Sequence, residues 1–386
     1  MLSQTRIKAI IIGGGIGGVT AAIALKQAGL DVTVYERAEE LQEVGSGLPL
    51  WTNALRALYE LGLTDELERL GVQVTSVRVT TWNGDTLTDT KNDKHLIKLG
   101  TITIVVHRAE LLALLLKTLG EDNVQLGMTC IGFTQDASGI TAQFANGQEV
   151  RGDVLIGADG IHSVIRTQLF GFIKPLYVGY TCWRGLAHTT RTNLETWAWG
   201  KGCQFGITPM NQGRAYWFVQ KYAPEGEADK PGGRKQAILD MFHDWHDPIP
   251  AVIDATAEAD ILRNDIYELQ HLHHWSQGRV TLLGDAAHAM TPNLGQGACQ
   301  AIEDAIALAD CLQNAVNIPA ALTNYEKRRV TRTNRITRLA HYIGQAVQWE
   351  TPLLAIPRNI IIKNLPASLA IKQFMWILDY HPGSSM

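Results

Sequence analysis

The sequence lacks any uninterrupted apolar run of about 18 residues, the length a helix needs to cross a bilayer. Its first apolar stretch is broken by Gly13-Gly14-Gly15, so it does not read as a signal peptide. It also lacks an excess of either charge. The 34 Lys and Arg against 38 Asp and Glu leave a net charge of −4, which gives no reason to expect nucleic acid. Cysteine is sparse: Cys130, Cys182, Cys203, Cys299 and Cys311 are scattered and odd in number. That excludes a disulfide framework and a zinc site, and points to a reducing, cytoplasmic setting. His271, His273 and His274 have no companions at metal spacing and read as a solvated loop. Repeats and low-complexity segments are absent. What remains is 386 residues, 46% hydrophobic and 19% charged, the balance of a globular protein with a large core and roughly two to three domains.

Two segments stand out. Ala9 to Ile12 is an apolar strand, followed by Gly13-Gly14-Gly15-Ile16-Gly17-Gly18, which satisfies G-x-G-x-x-G at Gly13, Gly15 and Gly18. The first glycine permits a tight turn, the second a close backbone approach to a pyrophosphate, and the third close packing of the next helix. That helix runs from Val19 to Ala28 and Gly29 ends it. A second strand, Asp31 to Tyr35, leads to Glu36, where a carboxylate can take ribose hydroxyls. More than 260 residues later, Gly278 to Gly297 reads as a buried strand, a turn at Asp285, and a glycine-rich loop opening a helix. Such a helix start offers free N–H groups to an anion or an electron-rich ring.

Between them the pattern changes. Residues 76–100 alternate and turn at Asn83-Gly84, which is hairpin chemistry. A Leu-rich helix opens at His107-Arg108 and runs to Leu119. Val124 to Cys130 and Ile140 to Phe144 read as strands, and Asp153 to Ile156 as another before Gly157-Ala158-Asp159-Gly160. From Tyr180 to about Ile266, aromatic residues in short alternating runs indicate an antiparallel sheet, with a helix near Gly233–Trp245. A helix from about Gln300 to Leu312 and a basic helical stretch around Lys327-Arg328-Arg329 follow. This is an α/β architecture. Residues 1–75, 101–176 and 276–345 form a discontinuous nucleotide-binding domain. Residues 76–100 and 177–275 form an inserted antiparallel-sheet substrate domain, and residues 346–386 a C-terminal helical segment.

Three ordered motifs resemble the flavoprotein monooxygenases of the p-hydroxybenzoate hydroxylase type. They are the G-x-G-x-x-G stretch, Asp153 through Asp159-Gly160 to Arg166, and Gly284-Asp285 through Gly297. The likeness spans roughly residues 7–335 and implies a Rossmann-like FAD-binding domain of the GR2 flavoprotein type. Ile261 to Tyr267, Trp275 to Asp285 and Pro292 to Asp304, with Cys299, resemble most the zeaxanthin epoxidase and FAD-dependent urate hydroxylase branch. Urate hydroxylases place an Arg over the substrate where this chain aligns Gln204, and share a Tyr at Tyr216.

The resemblance implies FAD, with NADPH or NADH as a transient electron donor, O₂ addition at the flavin C4a position, and oxygen transfer from the hydroperoxide. By the same likeness Gly13, Gly15 and Gly18 approach the pyrophosphate, while Glu36 and Arg37 lie at the ribose. Arg108 meets the ribityl or phosphate region and Cys130 lies near the adenine. Asp285 holds the ribityl–pyrophosphate arm, and Gly295, Gln296 and Gly297 lie at the pyrimidine edge. Gly45-Ser46-Gly47 lines the ring's other side, and Asp159 shapes its turn and assists the nicotinamide. Tyr216, with Gln204 beside it, and Trp183-Arg184 are the candidates for substrate contact, and Pro292 faces the oxygen-transfer side. A structural role for His288 is the stronger reading.

The implied reaction hydroxylates a small aromatic or related cyclic compound. Epoxidation of an isoprenoid alkene is the alternative, and a non-catalytic flavin-binding module a third class. A flavin halogenase is disfavoured, since the Ile-Pro expected after Trp197-Ala198-Trp199 is absent. The small-molecule substrate and O₂ are the expected partners, to a monomer or homodimer. For the C-terminal segment, packing on the domain or on a dimer partner is preferred over peripheral membrane contact.

Overall fold

The computed structural model describes residues 6–40, 46–91, 103–189, 195–229 and 231–383. Gly45 and residues 92–102, for which expectations are given above, lie outside the described residues. The chain is α/β. A six-stranded sheet runs in the order Ser276–Gln277, Val280–Leu282, Val154–Gly157, Lys8–Ile12, Asp31–Tyr35, Val124–Gln125. All its pairs are parallel except the first. The central strands are buried on both faces, which is why Ala9 to Ile12 and Val154 to Ile156 are apolar without alternation. Register brings Ile12, Gly157 and Leu282 level, so three adjacent strands end at one edge. That carboxyl edge is where open α/β sheets bind ligands.

A seven-stranded sheet is built from Leu262–Glu268, Leu176–His188, Arg214–Tyr222, Cys203–Met210, Glu195–Gly200, Val77–Thr81 and Thr86–Asp89. Side chains alternate across it. Trp183, Phe205 and Trp217 pack outward against the helices Gly233–Phe242 and Ile249–Asp254. Phe205 and Trp217 stack with ring centroids 5.6 Å apart. The opposite face carries Gln204, Tyr216, Gln220, Trp197 and Trp199.

Two sequence expectations need correction. Val124 to Cys130 is not one strand: it breaks after Gln125 at a turn where Gly127 has φ +69, and Cys130–Gln135 joins a separate three-stranded sheet. The helix expected from about Gln300 begins three residues earlier, at Gly297, directly after the turn that Gly295 makes with φ +60.

The helix Ile318–Val347 spans 30 residues and is started by Asn317, whose side chain accepts from the Ala320 amide at 3.0 Å. Two helices, Pro352–Asn364 and Ala367–Leu378, then fold back over the cleft side of the seven-stranded sheet. Arg358 anchors them, donating to the carbonyls of Ala346 (2.8 Å) and Val347 (3.0 Å) at the end of the long helix.

Candidate functional site

The site begins at the carboxyl edge of the parallel sheet. Gly13 has φ +112, and a Cβ there would lie 2.3 Å from the Ala158 carbonyl oxygen. At Gly18 a Cβ would lie 2.0 Å from the Gly13 carbonyl oxygen. Both glycines are therefore demanded by the chain's own packing. Gly15 is different: its backbone is extended, and a Cβ added there meets nothing within 4 Å. It starts the helix Ile16–Gln27, which has neither a side-chain cap nor an acid in its first turn. Its leading amides are thus left for an anion, aided by the helix dipole. Glu36 accepts from the amides of Gly14 (2.6 Å) and Ala38 (2.9 Å), which still leaves lone pairs for hydroxyl donors.

The second half of the site leans on the first. Side by side, the two helices touch where a Cβ at Gly17 would lie 3.0 Å from the Ala301 Cβ. The helix Gly297–Leu312 therefore presents a second uncapped N-terminus close to the first, and it too has no acid in its first turn. Gly284, with φ +62, turns the chain so that Asp285 stands exposed at the strand end. Gly295, with φ +60, sits against Trp51, whose indole N–H is buried without a hydrogen-bond partner.

Beneath this loop lies a buried ionic network that sequence reading did not find. Arg329 is fully buried and paired with Glu303 and, at 2.7 Å, with Asp304. Arg332 reaches both Glu303 oxygens at 2.8 Å. Asp304 also accepts from the Gly284 amide (3.1 Å) and meets His288 Nε2 at 2.6 Å. Asn53 and Gln300 bridge Glu303 to the Gln296 side chain. Burial opposes the charge on both carboxylates. Arg329 and, for Asp304, His288 outweigh that penalty and hold both below the usual carboxylate range. The network thus fixes both Gly284 and Gln296. Its signal was in the sequence: two adjacent acids in the middle of a mostly apolar helix, and a basic stretch 25 residues later.

The cleft face of the seven-stranded sheet closes over this floor. One row of side chains is Glu195, Thr208, Tyr216 and Leu186; another is Trp199, Gln204, Gln220 and Cys182. Tyr216 packs on Gly47, where a Cβ would lie 2.4 Å from its ring. Asn293 bridges loop to sheet, donating to Gln220 at 2.6 Å and accepting from Tyr180 at 2.6 Å. Gln204 is not beside Tyr216, as the sequence reading had it. Its register partner on the neighbouring strand is Gln220, four residues or about 13 Å along from Tyr216. Trp183 points to the opposite face, into the outer core; Arg184 is on the cleft side, bonded to Asn264.

The other expected residues fall as follows. Asp159 accepts from the Val164 (2.7 Å) and Ile165 (3.3 Å) amides, while its second oxygen is buried and unpartnered. Arg166 ties the same turn to the Ala286 carbonyl at 2.9 Å. Arg108 is half-buried at its helix start, and Arg37 and Pro292 are exposed. Buried Cys130 turns its thiol to the Gly132 carbonyl at 3.5 Å. Burial pushes the Cys299 thiol up to about 12, so it stays protonated and inert. Among the described residues there is no group of three or more His, Cys, Asp or Glu that could hold a metal.

Glu195 was missed altogether. Burial pushes its carboxyl up to about 7, against hydrogen bonds from Trp197 (3.1 Å) and Thr208. The proton it gains on folding stabilises the fold below the unfolded value of 4.5, and that contribution disappears as pH rises through about 7. Glu195→Gln removes the dependence. Urea titrations should find parent and variant alike near pH 4.5 and the variant more stable by roughly 3 kcal/mol at pH 8. Parallel pH profiles would show that Glu195 titrates normally.

The residues present fit a dinucleotide with a ring system: two adjacent uncapped helix starts, open space above Gly15, and an orphaned Asp159 oxygen. Residues 6–340 match the family described as FAD binding domain. The aurachin C monooxygenase/isomerase of Stigmatella aurantiaca is 39% identical, over 94% of this chain and 95% of that protein. The FAD-dependent urate hydroxylase of Klebsiella pneumoniae is 34% identical, over 84% of this chain and 86% of its own. A crystal structure of Klebsiella pneumoniae HpxO complexed with FAD and uric acid aligns with a TM-score of 0.92 at 30% identity, covering 97% of both chains. The chain belongs to the FAD binding domain family, and FAD is its cofactor.

Proposed function

We propose that the protein is an FAD-dependent monooxygenase that takes electrons from NADPH or NADH, uses O₂, and hydroxylates a cyclic compound carrying a long apolar substituent. FAD supplies the redox and oxygen-activating chemistry; the chain binds, orients and keeps water out. The amides that follow Gly15 hold the pyrophosphate, with Gly13 and Gly18 shaping that turn. Glu36 takes the adenosine ribose, flanked by Arg37, with Cys130 towards the adenine. Arg108 and Asp285 hold the ribityl–phosphate arm. The helix start at Gly295, Gln296 and Gly297 stabilises negative charge at the pyrimidine edge, while Gly47 lines the other side. Asp159 assists the nicotinamide. Tyr216 and Gln204 contact the substrate from the sheet, and Pro292 borders the oxygen-transfer side. Burial pushes the Tyr216 phenol up, so it remains a neutral hydrogen-bond donor.

One observation carries the substrate class. A cavity of about 410 Å³ extends from Asn293, Leu294 and Gln296 to the C-terminal helices, where Ile371 and Phe374 help line it. Trp197 and Trp199 form its sheet wall. That volume falls within the roughly 300–1,000 Å³ of pockets that enclose drug-sized ligands. Its apolar walls suit a hydrocarbon chain better than a bare purine. The same cavity favours a second reading, in which oxygen is delivered to an alkene of that chain as an epoxide.

Substrate-stimulated NAD(P)H oxidation tests this, using phenols, purines, and ring compounds bearing isoprenoid or alkyl chains, with product analysis separating hydroxide from epoxide. Only the chain-bearing class should accelerate turnover. Ala346→Phe, which fills the cavity wall, should raise KM for that class about tenfold, the loss of roughly 1.4 kcal/mol of burial. Equal stimulation by urate, or a KM indifferent to Ala346→Phe, would remove the apolar-substituent assignment. NAD(P)H oxidation independent of every compound would favour the non-catalytic reading.

A further inference from the structure

The helices Pro352–Asn364 and Ala367–Leu378 carry apolar residues on two opposite sides. The inner side walls the cavity, through Ile362, Leu365, Ile371 and Phe374. The outer side of the first helix is bare: Leu353, Leu354, Ile356, Ile360 and Ile361 are between 46% and 80% exposed. At 100° per residue these five share one arc, opposite buried Arg358 and cavity-lining Ile362. A contiguous exposed apolar stripe of this kind marks an interaction surface.

Charge says what covers it. Residues 351–378 contain Arg358, Lys363 and Lys372 and no acid. Alongside lies a cleft of about 560 Å³ lined by Arg335, Arg338, Lys372, Tyr342 and Trp376, with no carboxylate among its lining residues. The three cations and Tyr342 are exposed, and Arg335 lies over the Trp376 ring at 4.0 Å. The cleft shares Gln373 and Phe374 with the apolar cavity. Aliphatic side chains flanked by cations and amphipathic aromatics match the layering of a bilayer interface. Two copies apposed through this face would instead bring like charges together. No helix among the described residues is long and apolar enough to cross a membrane, so the contact is peripheral.

We infer that the C-terminal helix pair docks the protein on an anionic phospholipid surface. The Pro352–Asn364 stripe lies in the acyl boundary and Arg335, Arg338 and Lys372 meet lipid phosphates. The inner side of the same helices then opens the cavity towards apolar compounds held in the bilayer. Binding is read without turnover, so this inference stands or falls separately from the proposed reaction.

The test is flotation of the FAD-loaded protein with phosphatidylcholine vesicles, with and without phosphatidylglycerol. The parent should float with the anionic vesicles, less so as salt rises, and weakly with phosphatidylcholine alone. The double variant Leu353→Ser/Ile360→Ser should lose at least tenfold in binding with its flavin spectrum unchanged. Arg335→Gln, Arg338→Gln and Lys372→Gln should each cost about fivefold on anionic vesicles only. Failure of the parent to float would overturn the inference, as would equal flotation of the double variant. A parent dimer that Leu353→Ser/Ile360→Ser splits to monomers would overturn it too, by assigning the face to a second copy.

Discussion

Gly15→Val yields a folded protein that no longer retains FAD. The backbone at Gly15 is extended, with φ −74 and ψ 178, a conformation any residue adopts. A Cβ there touches no atom of the chain within 4 Å. The protein's own packing therefore has no use for glycine at this position, and only a group outside the chain does. Branched methyls at the head of the helix Ile16–Gln27 would push the pyrophosphate off its amides. Losing one or two charge-assisted hydrogen bonds, about 1.5–3 kcal/mol each, weakens FAD binding roughly 100-fold or more. Circular dichroism should match the parent while the purified protein is colourless. Gly18→Ala is the contrasting case: its Cβ would strike the Gly13 carbonyl oxygen, so stability and FAD binding fall together. A Gly15→Val protein that binds FAD with the parent's affinity would place the pyrophosphate elsewhere.

Arg329→Met destabilises the protein by about 3–5 kcal/mol, because it leaves Glu303 buried without its main counter-charge and takes from Asp304 the guanidinium it shares with His288. The urea midpoint of the FAD-loaded protein should fall accordingly. The depressed carboxyls of Glu303 and Asp304 contribute stability above their unfolded values and lose it as pH falls through their lower folded ones. In Arg329→Met that acid-side loss should shrink. Asp304 also holds the Gly284 amide, and Glu303 reaches Gln296 through Asn53 and Gln300, so flavin affinity should weaken as well. An unchanged midpoint would mean that the network is not what holds the loop.

The two glycine-rich segments were readable as strand, turn and helix because each is local. A strand, a glycine turn, a helix and an acid follow one another within 30 residues at Ala9–Glu36, and Gly278–Gly297 repeats the logic. The strand break after Gln125 was not readable, since Val124 to Cys130 is apolar enough to continue and only the neighbouring sheets decide where it parts. Nor was the separation of Gln204 from Tyr216. Both alternate onto one face, but their distance depends on the register of Cys203–Met210 against Arg214–Tyr222. Glu195 gave no signal because its burial depends on how its strand is sandwiched, between the next strand, Cys203–Met210, and Val77–Thr81 from far earlier in the chain.

By itself the sequence determined the α/β class, the two strand–turn–helix segments and the glycines that shape their turns. These rest on short-range sterics and on the periodicity of single elements. Only the tertiary structure decided that Glu303, Asp304 and Arg329 form a buried floor, that the cavity is apolar, and that the outer side of Pro352–Asn364 is uncovered. Those are questions of which surfaces meet. An apolar or charged residue on a helix has the same periodicity whether a neighbour covers it or not, and only packing separates the two.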